Sequence, residues 1–178
     1  MDELVALYDD SGRPVGSAPR SRMRAENLHH AATGVVVVDG HGRVYVHRRT
    51  PTKDVYPGRY DFAAGGVIAA GEEPALAAER ELAEELGITG VPLQPLPGGD
   101  YRDDQTSYHA FCSWVRWDGP VTWQPEEVVW GDWVAPADLV AWVARDPDAF
   151  MPDTVALLLG WVRGLATTPP RPRSAGTP

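Results

Sequence analysis

The sequence predicts a layered α+β fold, on three observations. Residues 74–86 place Ala75, Ala78, Leu82 and Leu86 at helical spacing, so one face of a single helix is apolar and packs on a sheet. Residues 31–38 hold a run of valines that ends at Asp39-Gly40, the pattern of a buried strand closed by a turn. Strand-like and helix-like segments then mix along the chain, with the helix following directly on a Gly65-Gly66 loop.

Taken in order, Leu4 to Tyr8 reads as a strand, Asp9-Asp10-Ser11-Gly12 as a turn, and Pro14-Val15-Gly16 as the return of a hairpin spanning about residues 4–18. The Arg-rich stretch 20–28 is a loop or short helix. Ala31 to Val38 is the buried strand, and Val44 to Arg48 pairs back on it, alternating Val44 and Val46 with Tyr45 and His47. Thr50 to Tyr60 is loop, punctuated by Pro51, Pro57 and Gly58. In the helix, Pro74 suits the first turn, Glu72 and Glu73 the positive N-terminal end, and Gly87 the stop. Val91 to Leu96 begins a strand that Pro97-Gly98-Gly99 breaks. Ser107 to Trp117 is the longest later strand, and Val121 to Trp123 a short one. Glu127 to Val134 leads to a helix starting near Pro136. A last helix runs near Thr154 to Leu165, with Asp153 as its cap and Val155, Leu158, Leu159 and Val162 inward.

No repeat and no second domain interrupts this series, so residues 1–166 form one domain, and the Pro-, Thr-, Arg- and Ser-rich residues 167–178 are expected to be a disordered tail. The seven tryptophans are core residues by default. A net charge of −9 argues against non-specific binding to nucleic acid, so an anionic ligand needs a local positive patch or a metal. The single cysteine, Cys112, excludes an internal disulfide, a Cys-rich zinc site and a CxxC redox pair. There is no apolar run of spanning length and no charged-then-apolar leader, so the expected setting is the cytoplasm, without a membrane partner, as a monomer or homodimer.

The charged face of the 74–86 helix carries the chemistry. Glu81, Glu84 and Glu85 stand at i, i+3 and i+4, and therefore converge on one side. Three carboxylates so close repel one another. The arrangement is tolerable when divalent cations sit among them, and hard oxygen ligands suit Mg²⁺ or Mn²⁺. Gly66, Glu72, Arg80, Glu81, Glu84, Glu85 and Gly87 also keep a fixed frame. At residue usage of about 7% each, a chance match at a given start is roughly one in 10⁸.

That frame, with Leu82 and Ile88 at its two aliphatic positions, resembles the signature of the Nudix hydrolases, Gly-x5-Glu-x7-Arg-Glu-U-x-Glu-Glu-x-Gly-U, where U is bulky and aliphatic. The resemblance implies an α-β-α sandwich with a mixed β-sheet. It also implies metal-dependent attack of water on a diphosphate linkage in a small molecule, typically a nucleoside diphosphate joined to another group. Under it, Glu81, Glu84 and Glu85 hold one to three Mg²⁺ or Mn²⁺ ions, and a backbone carbonyl at Gly66 or its neighbour assists. Arg80 holds the carboxylates in place, and Glu72 is a structural and electrostatic member. Glu127, six residues before Trp133, matches the further acidic residue that serves such proteins as ligand or base. Arg48, Arg49 and Lys53 flank the expected active-site loop and are candidates for substrate phosphates.

Residues 4–66 carry a second resemblance, to the isopentenyl-diphosphate isomerase branch of the same superfamily, through Val15-Gly16, Arg20 or Arg22, Leu28-His29-His30-Ala31, Arg48-Arg49 and Pro57-Gly58 before Tyr60. There His29 matches a metal-binding histidine. The isomerase's cysteine and second histidine are missing, replaced by Asp61-Phe62-Ala63-Ala64, and the hydrolase signature is complete. His29 is therefore read as structural, and the chain as an isomerase-like hydrolase. Isomerase activity and a nucleotide-binding module without catalysis are the alternative readings.

Overall fold

The computed structural model describes residues 2–167. The N-terminal hairpin forms as expected: β1 (Leu4–Tyr8) pairs antiparallel with β2 (Pro14–Pro19), from Leu4 opposite Pro19 to Tyr8 opposite Pro14. The Arg-rich stretch is a short helix, α1 (Arg20–Ala25). β3 (His30–Val38) then runs parallel to β8 (Ser107–Arg116) in continuous register, from His30 beside Tyr108 to Val38 beside Arg116.

The strand expected to pair back on residues 31–38 does so only at its start. β4 (Val44–Arg49) does not lie along β3. It touches it only at Val38 and Val44, next to the turn, and then pairs antiparallel with β9 (Val128–Val134) and with the short β5 (Tyr60–Asp61). The flank of β3 that β4 vacates is filled by the chain after β5. Residues 64–68 run antiparallel beside β3, with Val35 N–H on the Ala64 carbonyl at 2.7 Å and Thr33 N–H on the Gly66 carbonyl at 2.9 Å. The glycine loop is thereby held like a strand. Two further stretches differ from the expected strands. Residues 99–102 form β7 (Gly99–Arg102), which pairs with β8 beside a two-residue β6 (Gln94–Pro95), whereas Val121 to Trp123 is not a strand, its Thr122 N–H bonding the Leu86 carbonyl at the helix end.

The valine run now has its reason. Successive strand residues face opposite sides, and a sheet covered on both faces needs apolar residues at every position. Val35 and Val37, with Tyr45, pack on Ala78, Leu82 and Leu86 of α2 (Pro74–Leu86). Val36, Val38, Val44 and Val46 face the opposite layer, Leu139 and Val143 of α3 (Pro136–Arg145) and Leu158, Leu159 and Val162 of α4 (Pro152–Thr167). The result is an α-β-α sandwich on a mixed sheet. Ala75, expected inward, is exposed, and Ala77 takes its place beside Ala78. Gly87 ends α2 with φ 67°, where glycine is favoured, and an added Cβ would stand 2.7 Å from the Thr122 carbonyl oxygen. Of the expected tail, Thr167 closes α4, and residues 168–178 lie outside the described residues. No helix among the described residues is long and apolar enough to cross a membrane.

Candidate active site

The acidic helix presents its three glutamates at three depths. Glu85 is buried, the Glu81 side chain is 14% exposed and the Glu84 side chain 50%. Helix geometry explains the order. Glu85 lies at i+7 from Ala78 and i+3 from Leu82, so it falls on the face packed against the sheet. Its Oε2 accepts the Gly65 N–H at 3.2 Å. Burial pushes its carboxyl well above the usual carboxylate range; Arg49 opposes this, and Glu81 and Asp61 add to it. Glu81 is raised too, chiefly by burial, with Arg80 pulling against it.

Arg80 organises this side. Its Nε and Nη2 grip Glu72 in a fork at 2.9 and 3.0 Å, while Nη1 donates to Glu81 at 2.7 Å and Glu84 at 3.3 Å. Glu72 in turn accepts the Ala69 N–H at 3.0 Å, which fixes the start of the helix to the loop. Its carboxyl is held below the ordinary value, first by the Arg80 hydrogen bonds.

Opposite the helix stand Arg49, Lys53 and Glu127. Lys53 and Glu127 form an ion pair, and the Thr50 N–H bonds the Glu127 carbonyl at 3.1 Å, which staples the 50–60 loop to the segment before β9. Burial lowers the Lys53 ammonium, assisted by Arg49 and opposed by Glu85, Asp54 and Glu81. Arg20 and Arg24 close the ring from α1. Arg20 enters the sequence reading only through the isomerase resemblance and Arg24 not at all, although their i, i+4 spacing puts both on one helix face. Arg22 instead pairs with Glu26 at 3.0 Å.

One cleft is therefore lined by Gly66, Arg80, Glu81, Glu84, Glu85, Arg49, Lys53 and Glu127, residues as far apart in the chain as 49 and 127. Glu72 supports it through Arg80. Arg48 is not brought there. It neighbours Arg49 on a strand, so it faces the other way, donating to the Gly58 carbonyl at 2.9 Å with its guanidinium 5.6 Å from the Tyr60 ring centre. His29 is also elsewhere, its Nδ1 2.9 Å from the Ser107 hydroxyl and its Nε2 3.3 Å from Asp100.

The donor set fits a hard divalent cation: carboxylates of graded depth and a backbone loop pinned beside them. Gly66 makes the room, since a Cβ there would stand 2.4 Å from Glu81 Oε1. Its carbonyl is already bonded to Thr33 N–H. Among the described residues no three acidic, His or Cys side chains are gathered into a ready cage; the glutamates rest on Arg80 and Lys53, cations that hold them near one another.

A second cavity, of about 110 Å³, shares Arg24, Arg49, Gly65, Gly66 and Val67 with the cleft and extends inward to His30, Asp61, Tyr108 and Asp153. Asp153, expected to cap α4, lines this cavity from the first turn of the helix, its Oδ2 accepting the Tyr108 hydroxyl at 2.8 Å. Cys112 also lines it, with its thiol pushed up to about 11 by burial, and Ala63 offers no reactive group.

The chain matches the NUDIX domain over residues 28–154. It is 44% identical over 167 residues to an uncharacterised Nudix hydrolase, orf19, of Rhodococcus erythropolis, covering 88% of this chain and 90% of that one. It is 39% identical over 163 residues to the uncharacterised Nudix hydrolase YfcD of Escherichia coli, covering 90% and 87%. Among solved structures, DR0079 of Deinococcus radiodurans superposes with a TM-score of 0.75 at 25% identity, covering 92% of this chain and 99% of the other. The MutT protein of Methanosarcina mazei superposes with a TM-score of 0.62 at 18% identity, covering 76% and 91%, and supports the fold.

Proposed function

We infer from the Nudix hydrolase family, to which this chain belongs, that it cleaves the diphosphate linkage of a nucleoside diphosphate derivative or related small molecule with the help of Mg²⁺ or Mn²⁺. The observation that carries this reading is the cleft itself: Glu81, Glu84 and Glu85 face Arg49, Lys53 and Glu127 across one opening.

When bound, such an ion lowers the pKa of water and neutralises charge on phosphoryl oxygens. Glu81, Glu84 and Glu85 would hold it, with a backbone carbonyl of the 65–66 loop. Arg80 is a positioning residue; its fork on Glu72 and its bonds to Glu81 and Glu84 fix the fan of carboxylates. Arg49, Lys53 and the α1 arginines hold the diphosphate, a role suited to guanidinium forks and an ammonium point charge. Glu127, or a carboxylate of the helix, takes the proton of the attacking water. The reducing cytoplasm suits a chain whose one thiol is buried and unpaired.

The test is a panel of nucleotide sugars, dinucleoside polyphosphates, dinucleotide coenzymes and prenyl diphosphates, assayed with Mg²⁺ or Mn²⁺ and again with EDTA. Release of phosphate-bearing products with metal alone is expected. Silence across the panel would overturn the reading, and isomerised isopentenyl diphosphate would replace it.

A further inference from the structure

We propose that the inner cavity beside the cleft seats the group attached to the diphosphate, and that this group is short and rich in hydrogen-bond donors: a small polyol or amino alcohol, not a nucleobase or a prenyl chain. The inference rests on the hydrolase reading above and narrows its substrate.

Position comes first. The cavity and the cleft have Arg24, Arg49, Gly65, Gly66 and Val67 as a common wall. At that wall the Nε atoms of Arg24 and Arg49 are both buried without a hydrogen-bond partner, although Arg24 Nε stands 3.1 Å from Asp54 as an ion pair. Buried donors left unmatched are rare and costly. A phosphate oxygen placed there would satisfy them, and the next atoms of the substrate would enter the cavity.

Size comes second. The cavity holds about 110 Å³. An engineered apolar cavity of roughly 150 Å³ admits benzene. A bicyclic base exceeds the space available, and so does a prenyl chain longer than one isoprene unit.

The chemistry of the wall selects among small groups. His30 Nδ1 lies 3.0 Å from the Leu28 carbonyl, which can only accept, so Nδ1 carries the hydrogen and Nε2 offers a lone pair. Burial keeps this ring neutral, with its pKa down at about 4. The Tyr108 hydroxyl spends its hydrogen on Asp153, and the Thr33 hydroxyl spends its own on the Phe111 carbonyl at 3.2 Å. Asp61 accepts two backbone N–H groups through one oxygen, from Phe62 at 2.7 Å and Ala63 at 3.1 Å. Apart from the two arginine Nε donors at the wall shared with the cleft, His30, Tyr108 and Thr33 spend their hydrogens internally and keep acceptor lone pairs in the lining. A hydroxyl or ammonium group entering the space matches them, whereas a hydrocarbon would leave them buried without partners, which is unfavourable.

Initial rates with Mg²⁺ would be measured on nucleoside diphosphate esters of glycerol and of ethanolamine, beside a dinucleoside diphosphate and isopentenyl diphosphate. At least one of the two small esters should exceed both comparison compounds by about tenfold or more in kcat/KM, a scale reached when buried polar groups go unmatched. Which ester wins separates hydroxyl from ammonium recognition. Gly34→Ala is the companion variant. Its added Cβ would meet Leu158 at 3.8 Å and Ala63 at 3.9 Å, ordinary contacts in the cavity wall, so the fold should stand while the space shrinks. Its KM for the preferred ester should rise by about fivefold, with a smaller change in kcat. Equal or faster turnover of the dinucleoside diphosphate would overturn the cavity assignment and leave the hydrolase reading intact. If nothing is turned over, the hydrolase reading fails, and calorimetry with glycerol 3-phosphate and phosphoethanolamine then decides the cavity alone. Binding weakened by Gly34→Ala upholds it, and binding absent or unaffected sinks it.

Discussion

The cleft on α2 and the cluster around His29 are built from similar parts and resolve their charge differently. Around His29, Asp100 meets both His29 at 3.3 Å and His109 at 2.8 Å, and Arg102 pairs with Asp10. Acid meets base locally, and Asp10 is largely exposed. In the cleft, Glu85 is buried under a raised pKa, and arginines at the inner wall keep unmatched donors. The first arrangement pairs its charges, although His29 Nε2 is buried without a hydrogen bond. The second retains a buried carboxylate of raised pKa beside unmatched arginine donors, the kind of perturbation that clusters at functional sites.

The strongest way to break this contrast is Glu85→Gln. The amide oxygen can still accept the Gly65 N–H, so the fold should hold, yet a ligand charge is lost. Turnover should drop by roughly 10²- to 10³-fold, the scale of removing one preorganised electrostatic partner. Metal-induced thermal stabilisation should shrink with it. Glu79→Gln, on an exposed residue outside the cleft, is the control, and equal activity in both variants would end the metal-site reading. Arg80→Lys comes next. It keeps the charge and loses the fork on Glu72, so a loss of about 10- to 100-fold is expected, as for other residues that orient ligands. Restoration of activity by raised metal concentration would show that the defect is positioning.

Acid titration sharpens the contrast between the adjacent histidines. Burial lowers His30 to about 4, opposed by the Leu28 carbonyl and assisted by Arg24, His29 and Arg20. The unfolded chain, with a histidine pKa near 6.5, takes up the proton first. Stability should therefore fall as pH drops from about 6.5 to about 4, by around 3 kcal/mol from this residue. Denaturant titrations across that range should show His30→Asn with a flatter slope. Burial is also the first cause of the lowering at His29, where Asp100 and Asp10 oppose it, so His29→Asn should alter the slope less. The smallest effect belongs to His29 in catalysis: His29→Asn should leave kcat/KM within about twofold, and a loss near that of Glu85→Gln would place the cluster in the reaction. Surface substitutions usually stay within about 0.5 kcal/mol in stability, so a larger loss would show that the Ser107 contact matters.

Much of this molecule is set by local pattern. Helical spacing in 74–86 specified α2, its Pro74 start and its Gly87 stop, and it placed Glu81, Glu84 and Glu85 together, because side-chain direction on a helix follows from residue number alone. The same arithmetic contained the burial of Glu85, seven residues after Ala78, and the shared face of Arg20 and Arg24. Alternation on a strand already separated Arg48 from Arg49. Tertiary structure decided what spacing cannot reach. That β3 pairs with β8 along its whole length, and that the glycine loop instead of β4 fills its other side, depends on which of several apolar strands yields the best-packed sandwich. The meeting of Lys53 with Glu127, and of Asp61 and Asp153 in one cavity, follows from that choice. Contacts across 70 residues or more are made by the fold as a whole, where burial and charge are settled by neighbours that no local segment contains.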